Sequence, residues 1–577
     1  MTKILLASVN EEGADASQFD KTDGRYYFTG SGRVDNRQEL KATLAVFDVS
    51  DTDLLWLAFL KWGQNAPTHI LGDWSFAVYD IQEKALFIAR DQHGYTALYY
   101  AQIGSNFYFS SSIKRLLSIK KPTVNEKLVV GRITLWGADR RANQTDFEGI
   151  FSLLAGHCLR YKNGTVSVTQ YWFPENVPLR NYKNHADYSV ELFEIFKEAV
   201  ACRLIGNKPV ASMLSGGLDS GSVASMAAFI LQKEQKSLTT FSHVPLFKDK
   251  VSANTERTFF DETDNILATA GFHQNINPVL LNSEAISPIA GLNTFLEINE
   301  HIIHGASNAY WMYDVYKTAV DHGFGAILSG ENGNGALSNA GLPNLLPLLH
   351  PSLSNDPKSL LKQLIRPLYR KIKPKSKKQF LDFKNYLKGS FLNQHIVDAY
   401  QILEDVKANN TGFGAKNYQS ANEAMTYLLE LARYGRCANG GNVSHYFNLE
   451  KRDPTADIRV LEYCLSIPNE AFISEKGINR SVVRKMMEGT MAHNVLYERK
   501  IGRQSADIYY RVLAHRAEMD ETLNRLFKNP YFCHFFNTKS ITSFWKSIKA
   551  EQKTGDYQVN SLMKAVMTGL FFERNEF

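Results

Sequence analysis

The sequence predicts two domains: a strand-dominated unit over residues 1–180 and a parallel α/β unit over 181–577. Three observations lead there. At 577 residues the chain exceeds what one hydrophobic core supports, so two or more domains are expected. Near residue 185 short alternating segments give way to long helical periodicity interrupted by short apolar strands. Pro209–Ser222 (P-V-A-S-M-L-S-G-G-L-D-S-G-S) then runs from an apolar strand through a glycine turn into an alanine-rich, helix-compatible stretch, Val223–Leu231.

In the first domain Lys3–Val9 and Tyr26–Thr29 read as strands and Asp53–Trp62 as a helix. Trp74–Asp80 and Ala85–Asp91 read as a hairpin pair, and Asn106–Ser111 as another strand. In the second, Tyr188–Arg203 has the periodicity of an amphipathic helix. Leu238–Ser242 and Gly325–Gly330 are short apolar strands ending in polar or glycine residues, and Glu423–Arg433 and Val460–Leu465 are further helices. Strands alternating with helices imply a parallel sheet whose ligands sit at the carboxyl ends of the strands. The ends at Ser215, Ser242 and Ser329 are therefore expected to converge on one nucleotide. Arg366–Lys378, a basic run with two prolines, reads as a solvated loop in preference to a site for an acidic partner.

Composition narrows the class. Hydrophobic residues make up 44% and charged residues 21% of the chain, ordinary for a globular protein. No apolar run approaches the ~20 residues of a membrane span. The apolar stretch near the N-terminus is too short for a secretory signal, so a cytoplasmic protein is expected. A net charge of +6 is modest at this length and gives no argument for nucleic acid. Cys158, Cys202, Cys437, Cys464 and Cys533 form no C-x-x-C; they read as reduced thiols, not as a disulfide framework or zinc site.

Ser215–Ser220 carries the chemistry. Glycines let the backbone approach an anion, unpaired N–H groups at the helix start point at it, and hydroxyls add donors. No Lys-Ser/Thr follows the glycines, so this is not a P-loop. Asp219 puts a carboxylate beside a phosphate site, which is sensible if a Mg²⁺ bridges them.

Other stretches join this motif: Gly72–Ala77 (G-D-W-S-F-A), Ala89–Gly94 (A-R-D-Q-H-G), Leu98–Tyr100, Phe147–Ile150, Ser329–Glu331 and Leu449–Pro454 (L-E-K-R-D-P). Together they make the chain resemble the asparagine synthetase superfamily over nearly its full length. The resemblance implies an N-terminal α+β Ntn-hydrolase (class II glutaminase)-like sandwich. It also implies a C-terminal α/β adenine nucleotide alpha hydrolase-like synthetase domain, with a parallel sheet, many helices and a basic insertion at about 341–420. The superfamily's first domain depends on a cysteine at position 2, whose own α-amine serves as base. Here that residue is Thr2, the first cysteine is Cys158, and Gly32–Arg37 (G-R-V-D-N-R) departs from the usual glutamine-binding pattern. The first domain is therefore expected to be a degenerate glutaminase-like scaffold without a catalytic Cys, and the nitrogen nucleophile to come from the substrate.

Gly330–Ser338 (G-E-N-G-N-G-A-L-S), Arg452–Arg459 and Lys500–Asp507 (K-I-G-R-Q-S-A-D) are similar to stretches of the lasso peptide macrolactam synthetases, or lasso cyclases. That resemblance implies ATP and Mg²⁺ as cofactors and a leader-free core peptide as substrate. An Asp or Glu side chain is adenylated with loss of pyrophosphate, then attacked by the peptide's N-terminal amine with loss of AMP. It places ATP and pyrophosphate at Leu214, Ser215, Gly216, Gly217, Asp219, Ser220, Ser242, Ser329 and Gly330. It places the metal at Asp219 and Asn334, the latter an amide where relatives carry a second aspartate. Acid–base or orienting roles fall to Glu331 and Glu450, and stabilisation of the acyl intermediate to Lys500.

Each assignment has a plainer competitor. Glu450 also reads as a structural ion pair with Arg452 or Arg436, and Lys500 as a surface lysine. Asp261–Glu262 reads as an exposed acidic pair on a helix, and Asn308 and Trp311 either line a peptide pocket or pack in the core. The implied partners are the leader peptidase and leader-binding protein of the same pathway, with neither nucleic acid nor membrane. Two other readings stand beside this one: a β-lactam-synthetase-like small-molecule amide ligase, and a non-catalytic nucleotide- or peptide-binding partner.

Overall fold

The structure is a computed structural model that describes residues 6–10, 12–134, 143–252, 254–303, 305–347, 350–354, 361, 383–385, 387–404, 423–426, 429, 439–549 and 556–577. Thr2, Arg436, Cys437, the basic run 366–378 and most of the expected helix 423–433 lie outside the described residues.

Ten strands build the first domain: Leu6–Val9 (β1), Lys21–Thr22 (β2), Tyr26–Val34 (β3), Gly72–Asp80 (β4), Ala85–Arg90 (β5), Tyr99–Ile103 (β6), Asn106–Ser110 (β7), Phe151–Ser152 (β8), His157–Lys162 (β9) and Thr165–Gln170 (β10). They form two antiparallel sheets, ordered β1–β7–β6–β8 and β10–β9–β5–β4–β3–β2. The expected hairpin is present, with Asp80 opposite Ala85 and Ser75 opposite Arg90.

Side-chain alternation along β4 explains the layers. Ala77 and Tyr79 face the other sheet, among Ala7, Phe107, Phe109 and Leu159. Trp74, Phe76 and Val78 face the opposite way, onto Leu54, Leu55, Trp56 and Phe59 of the helix Asp51–Trp62. A strand buried on both faces has no solvated side to offer, which is why Phe76–Tyr79 is apolar without a break. The helix starts two residues before its expected position because Ser50 and Asp53 form a reciprocal capping box.

The second domain holds Val210–Met213 (β11), Leu238–His243 (β12), Thr258–Phe259 (β13), Ile276–Leu281 (β14), Ala326–Leu328 (β15), Glu450–Arg452 (β16) and Ile501–Gly502 (β17). Five of these make a parallel sheet in the order β14–β12–β11–β15–β16, while β13 and β17 form a separate two-residue parallel ribbon. β11 lies between its successor β12 and the much later β15, so the strand order reverses beside it. That is the position at which open parallel sheets bind ligands. The helix Leu218–Lys233 lies against this sheet through Val223, Ala224, Ala227 and Ala228, small residues that let its first turn come close to the strand ends. Among the described residues no helix is long and apolar enough to cross a membrane.

Candidate active site

The chain leaves β11 at Met213 and enters the helix at Leu218, so Ser215–Gly217 form the connecting turn. Ser220 Oγ accepts from Ser215 N at 2.9 Å and lies 2.7 Å from Ser215 Oγ, while Ser215 Oγ accepts from Gly217 N at 3.2 Å. The two serines thus hold the turn in shape. Gly217 caps the helix without any side-chain acceptor, which leaves the first-turn N–H groups pointing outward for an anion.

Ser329 and Gly330 extend from β15 and close over the same turn. A Cβ at Gly330 would stand 2.8 Å from the carbonyl carbon of Asp219, and one at Gly333 would collide with the Asp219 carboxylate. Both glycines are required by this approach of two loops. The hydroxyls of Ser242 and Ser329 are buried without a hydrogen-bond partner among the described residues. Ser215, Ser242 and Ser329 end the adjacent strands β11, β12 and β15, as the sequence predicts.

Asp219 Oδ1 is also buried and has no partner at good hydrogen-bond geometry among the described residues, the Ser338 hydroxyl being the polar group beside the carboxyl. Burial pushes the carboxyl up to about 6. A carboxylate oxygen sealed beside an anion site and lacking a donor fits a divalent cation as its missing partner. Asn334, the other expected ligand, has its Oδ1 engaged by Arg480 Nη2 at 3.0 Å. Arg480 holds a left-handed φ of 58° at the start of the helix Ser481–Met486, a conformation that is uncommon for a residue with a Cβ. The sequence reading missed this guanidinium; an arginine in G-I-N-R-S carries no local signal of it.

Glu331 is paired. Its Oε2 accepts from Lys451 Nζ at 2.7 Å, with the lysine side chain 1% and the glutamate side chain 38% exposed. Burial works against the Lys451 charge, and the Glu331 carboxylate more than offsets it, holding the ammonium above its ordinary range. Glu450 points to the other face of β16 and pairs with Arg452 at 2.6 Å; Arg452 Nη1 in turn donates to the carbonyls of Arg203 and Ile205. The ion-pair reading of Glu450 is thus the one whose contact the structure contains. Lys451, which the sequence reading did not single out, is the residue of this strand beside Glu331.

Lys500 precedes β17 and lays its Nζ 4.8 Å from the centroid of the Phe259 ring on β13; no carboxylate pairs with it among the described residues. Asp261 and Glu262 precede the helix Thr263–Phe272 and are not an exposed pair on it. Asp261 accepts from Thr263 N at 2.9 Å, and Glu262 turns toward the phosphate turn. Asn308 links three segments: its Nδ2 donates to Gln504 Oε1 at 2.7 Å, and its Oδ1 accepts from Ser505 Oγ at 2.8 Å and Trp311 Nε1 at 3.3 Å. Trp311 is half-buried and stacks on His243 with centroids 5.5 Å apart, so its ring serves the core and the rim of the site together.

Residues 191–570 match the Asparagine synthase family, and residues 2–172 match the Glutamine amidotransferase domain. The chain belongs to the asparagine synthase family. It is 24% identical over 485 residues to the glutamine-hydrolyzing asparagine synthetase 3 of Bacillus subtilis (strain 168), covering 81% of this chain and 72% of that protein. To asparagine synthetase 1 of the same organism it is 23% identical over 531 residues, 87% of this chain and 78% of the relative. The amidase chyE of Penicillium rubens is 27% identical over 214 residues, 36% of this chain and 31% of its own length. As a member of this family the chain is an ATP-dependent carbon–nitrogen ligase that forms AMP and pyrophosphate. Its architecture is an amidotransferase-like domain followed by a synthetase domain with a parallel sheet.

A buried charge network joins those two domains. Arg203 donates to Asp35 of the first domain at 2.9 Å and to Asp457 of the second at 2.5 Å. Arg33 pairs with Asp35 and, at 2.5 Å, with Asp73. Asp35, Cys202 and Asp457 are the one trio with metal-ligand spacing among the described residues, but the guanidinium of Arg203 bridges its two carboxylates and supplies the charge that a metal would. Arg33 and Asp35, within Gly32–Arg37, supply the first domain's side of this strut.

Proposed function

We propose that this ligase is a lasso peptide cyclase: it adenylates an Asp or Glu side chain of a leader-free peptide and closes a macrolactam on the peptide's own N-terminal amine. The observation that carries the reading is a turn shaped for phosphate beside a buried Asp219 oxygen that lacks a well-formed donor among the described residues, together with the Gly330–Ser338 and Lys500–Asp507 stretches similar to lasso cyclases. The first described cysteine, Cys158, is buried on β9 with its thiol pushed up to about 12 by burial, which removes it as a nucleophile. With Thr2 in place of the family's cysteine, the amine then comes from the substrate.

The peptide carboxylate attacks the α-phosphorus of ATP, the bond to pyrophosphate breaks, and an acyl-adenylate forms. The amine then attacks the acyl carbon, loses a proton, and AMP leaves. Ser215–Gly217 and the open helix start bind the departing pyrophosphate, and Leu214, Ser242, Ser329 and Gly330 line the adenosine side. Asp219 would hold a Mg²⁺ that neutralises the phosphates when bound. Asn334 and Arg480 act as a pair at that edge, the guanidinium contributing charge. Lys451 fixes the Glu331 carboxylate in place, so Glu331 orients the amine through an acceptor oxygen. Lys500 places a cation toward the developing oxyanion, a contribution of about 3 kcal/mol by analogy with oxyanion donors.

The test is AMP and pyrophosphate release with candidate peptides. Turnover is expected only with a leader-free peptide bearing an acid at ring-closing distance, and equal turnover with free amino acids would defeat the reading. Lys500→Ala is expected to lower cyclisation more than about 100-fold while ATP affinity is retained; an unchanged rate removes Lys500 from the mechanism.

A further inference from the structure

Glu262 stands between the two halves of this site. Its Cβ and backbone oxygen crowd Gly216: a Cβ at that glycine would lie 2.9 Å from Glu262 Cβ and 3.0 Å from Asn265 Cβ. Asn265 Nδ2 donates to Gly216 O at 3.3 Å, and the Gly216 amide faces the Glu262 carboxylate. The same carboxylate lies against Gly502, where an added Cβ would collide with Oε1. Gly502 ends β17, two residues beyond Lys500, and among the described residues β17 pairs with β13 alone, through Ile501 N to Arg257 O at 3.0 Å and Arg503 N to Phe259 O at 2.9 Å. A two-residue ribbon is marginal by itself. The strand that carries Lys500 therefore depends on what braces Gly502.

We infer that Glu262 is a positioning residue that ties the phosphate turn at Gly216 to the Lys500 strand at Gly502, so that nucleotide filling the turn fixes the lysine above the acyl group. The inference rests on the proposed role of Lys500. A carboxylate has two acceptor oxygens, so one side chain can serve both neighbours. Phosphate drawing the Gly216 amide outward changes where that carboxylate sits, and Gly502 moves with it. Absence of a Cβ at position 502 is what admits the brace. The nearby charged groups are Asp261, which Lys248 approaches at 3.6 Å, and Lys500, whose Nζ lies over Phe259.

The experiment is hydrogen–deuterium exchange of the full chain with and without ATP and Mg²⁺, read at the peptides covering 214–221 and 499–504. In the parent protein nucleotide is expected to protect both, including the Ile501 and Arg503 amides. Glu262→Ala should keep protection at 214–221 and lose it at 499–504. Glu262→Gln, which retains an acceptor oxygen of the same shape, should keep both. Gly502→Ala leaves Glu262 in the chain but evicts it from the strand, and should reproduce the Glu262→Ala pattern. A purely structural role would instead loosen both peptides even without nucleotide. ATP-induced protection of 499–504 that persists in Glu262→Ala overturns the inference and leaves the ATP site standing. Absence of protection anywhere in the parent protein overturns both.

Discussion

Replacing Asp219 by Asn should make the nucleotide-free protein more stable while abolishing its metal-dependent chemistry. The carboxyl is held at about 6 by burial against an ordinary value near 3.8. Such a raised value means that the folded state binds the proton more tightly than the unfolded one. Stability is therefore highest at low pH and is lost as pH rises from about 4 to about 6, after which the full penalty persists. At 1.36 kcal/mol per unit the shift corresponds to about 3 kcal/mol. Part of the residue stays open to solvent, so about 2 kcal/mol is the expected gain for Asp219→Asn at pH 7, falling below about 1 at pH 4.5. Urea unfolding of parent and variant at the two pH values, without nucleotide or metal, reads this directly. The same variant should no longer show Mg²⁺-dependent tightening of ATP in calorimetry. A variant less stable than the parent at pH 7, or a gap that fails to narrow at pH 4.5, would refute the view of Asp219 as a strained carboxylate waiting for a cation.

Lys451→Met removes the buried partner of Glu331 and is expected to cost about 1–3 kcal/mol, below the 3–5 of a sealed pair because Glu331 reaches solvent; an unchanged urea midpoint would show the pair to be incidental. Arg203→Met leaves Asp35 and Asp457 buried without their shared cation, and about 3–5 kcal/mol should be lost at pH 7. Despite burial, Arg203 and Arg459 hold Asp457 well below the usual carboxylate range. The stability from this strut is thus present above the ordinary Asp range and is lost as pH falls toward the lowered value; a penalty that persists undiminished at pH 3 would contradict it. Incubation with glutamine should release no glutamate, and robust release would restore an active amidotransferase domain.

The fold was legible where one physical signal dominated. The doubly buried strand Gly72–Asp80 announces itself by the unbroken apolar run Phe76–Tyr79, and the turn Ser215–Gly217 by glycines placed between a strand and a helix. Boundaries were less legible, because they depend on caps: Ser50 draws the helix Asp51–Trp62 back past the expected Asp53. The ribbon of Thr258–Phe259 with Ile501–Gly502 left no trace in the sequence. Two residues have no periodicity, and their pairing spans more than two hundred positions.

The motifs that frame the candidate site stand out in the sequence while its side-chain pairs do not, and β16 shows why. Glu450, Lys451 and Arg452 are consecutive charges, and a strand sends alternate side chains to opposite faces. A one-residue difference therefore decides which charge meets Glu331 and which meets the helix Ala186–Leu204. Sequence alone leaves Glu450 open between an acid–base role and an ion pair with Arg452 or Arg436. The register Ile327 opposite Lys451 puts an ammonium beside Glu331. The same lesson applies to Asn334. Read by itself it is a weakened metal ligand, one negative charge short. Read with Arg480 it is an amide oxygen that already accepts from a guanidinium, so this edge carries one negative charge fewer and one positive charge more than a two-aspartate site would. Pairs of this kind arise from three-dimensional closure between segments 120 and 146 positions apart, so a chain can change both partners while each motif, taken singly, still looks incomplete.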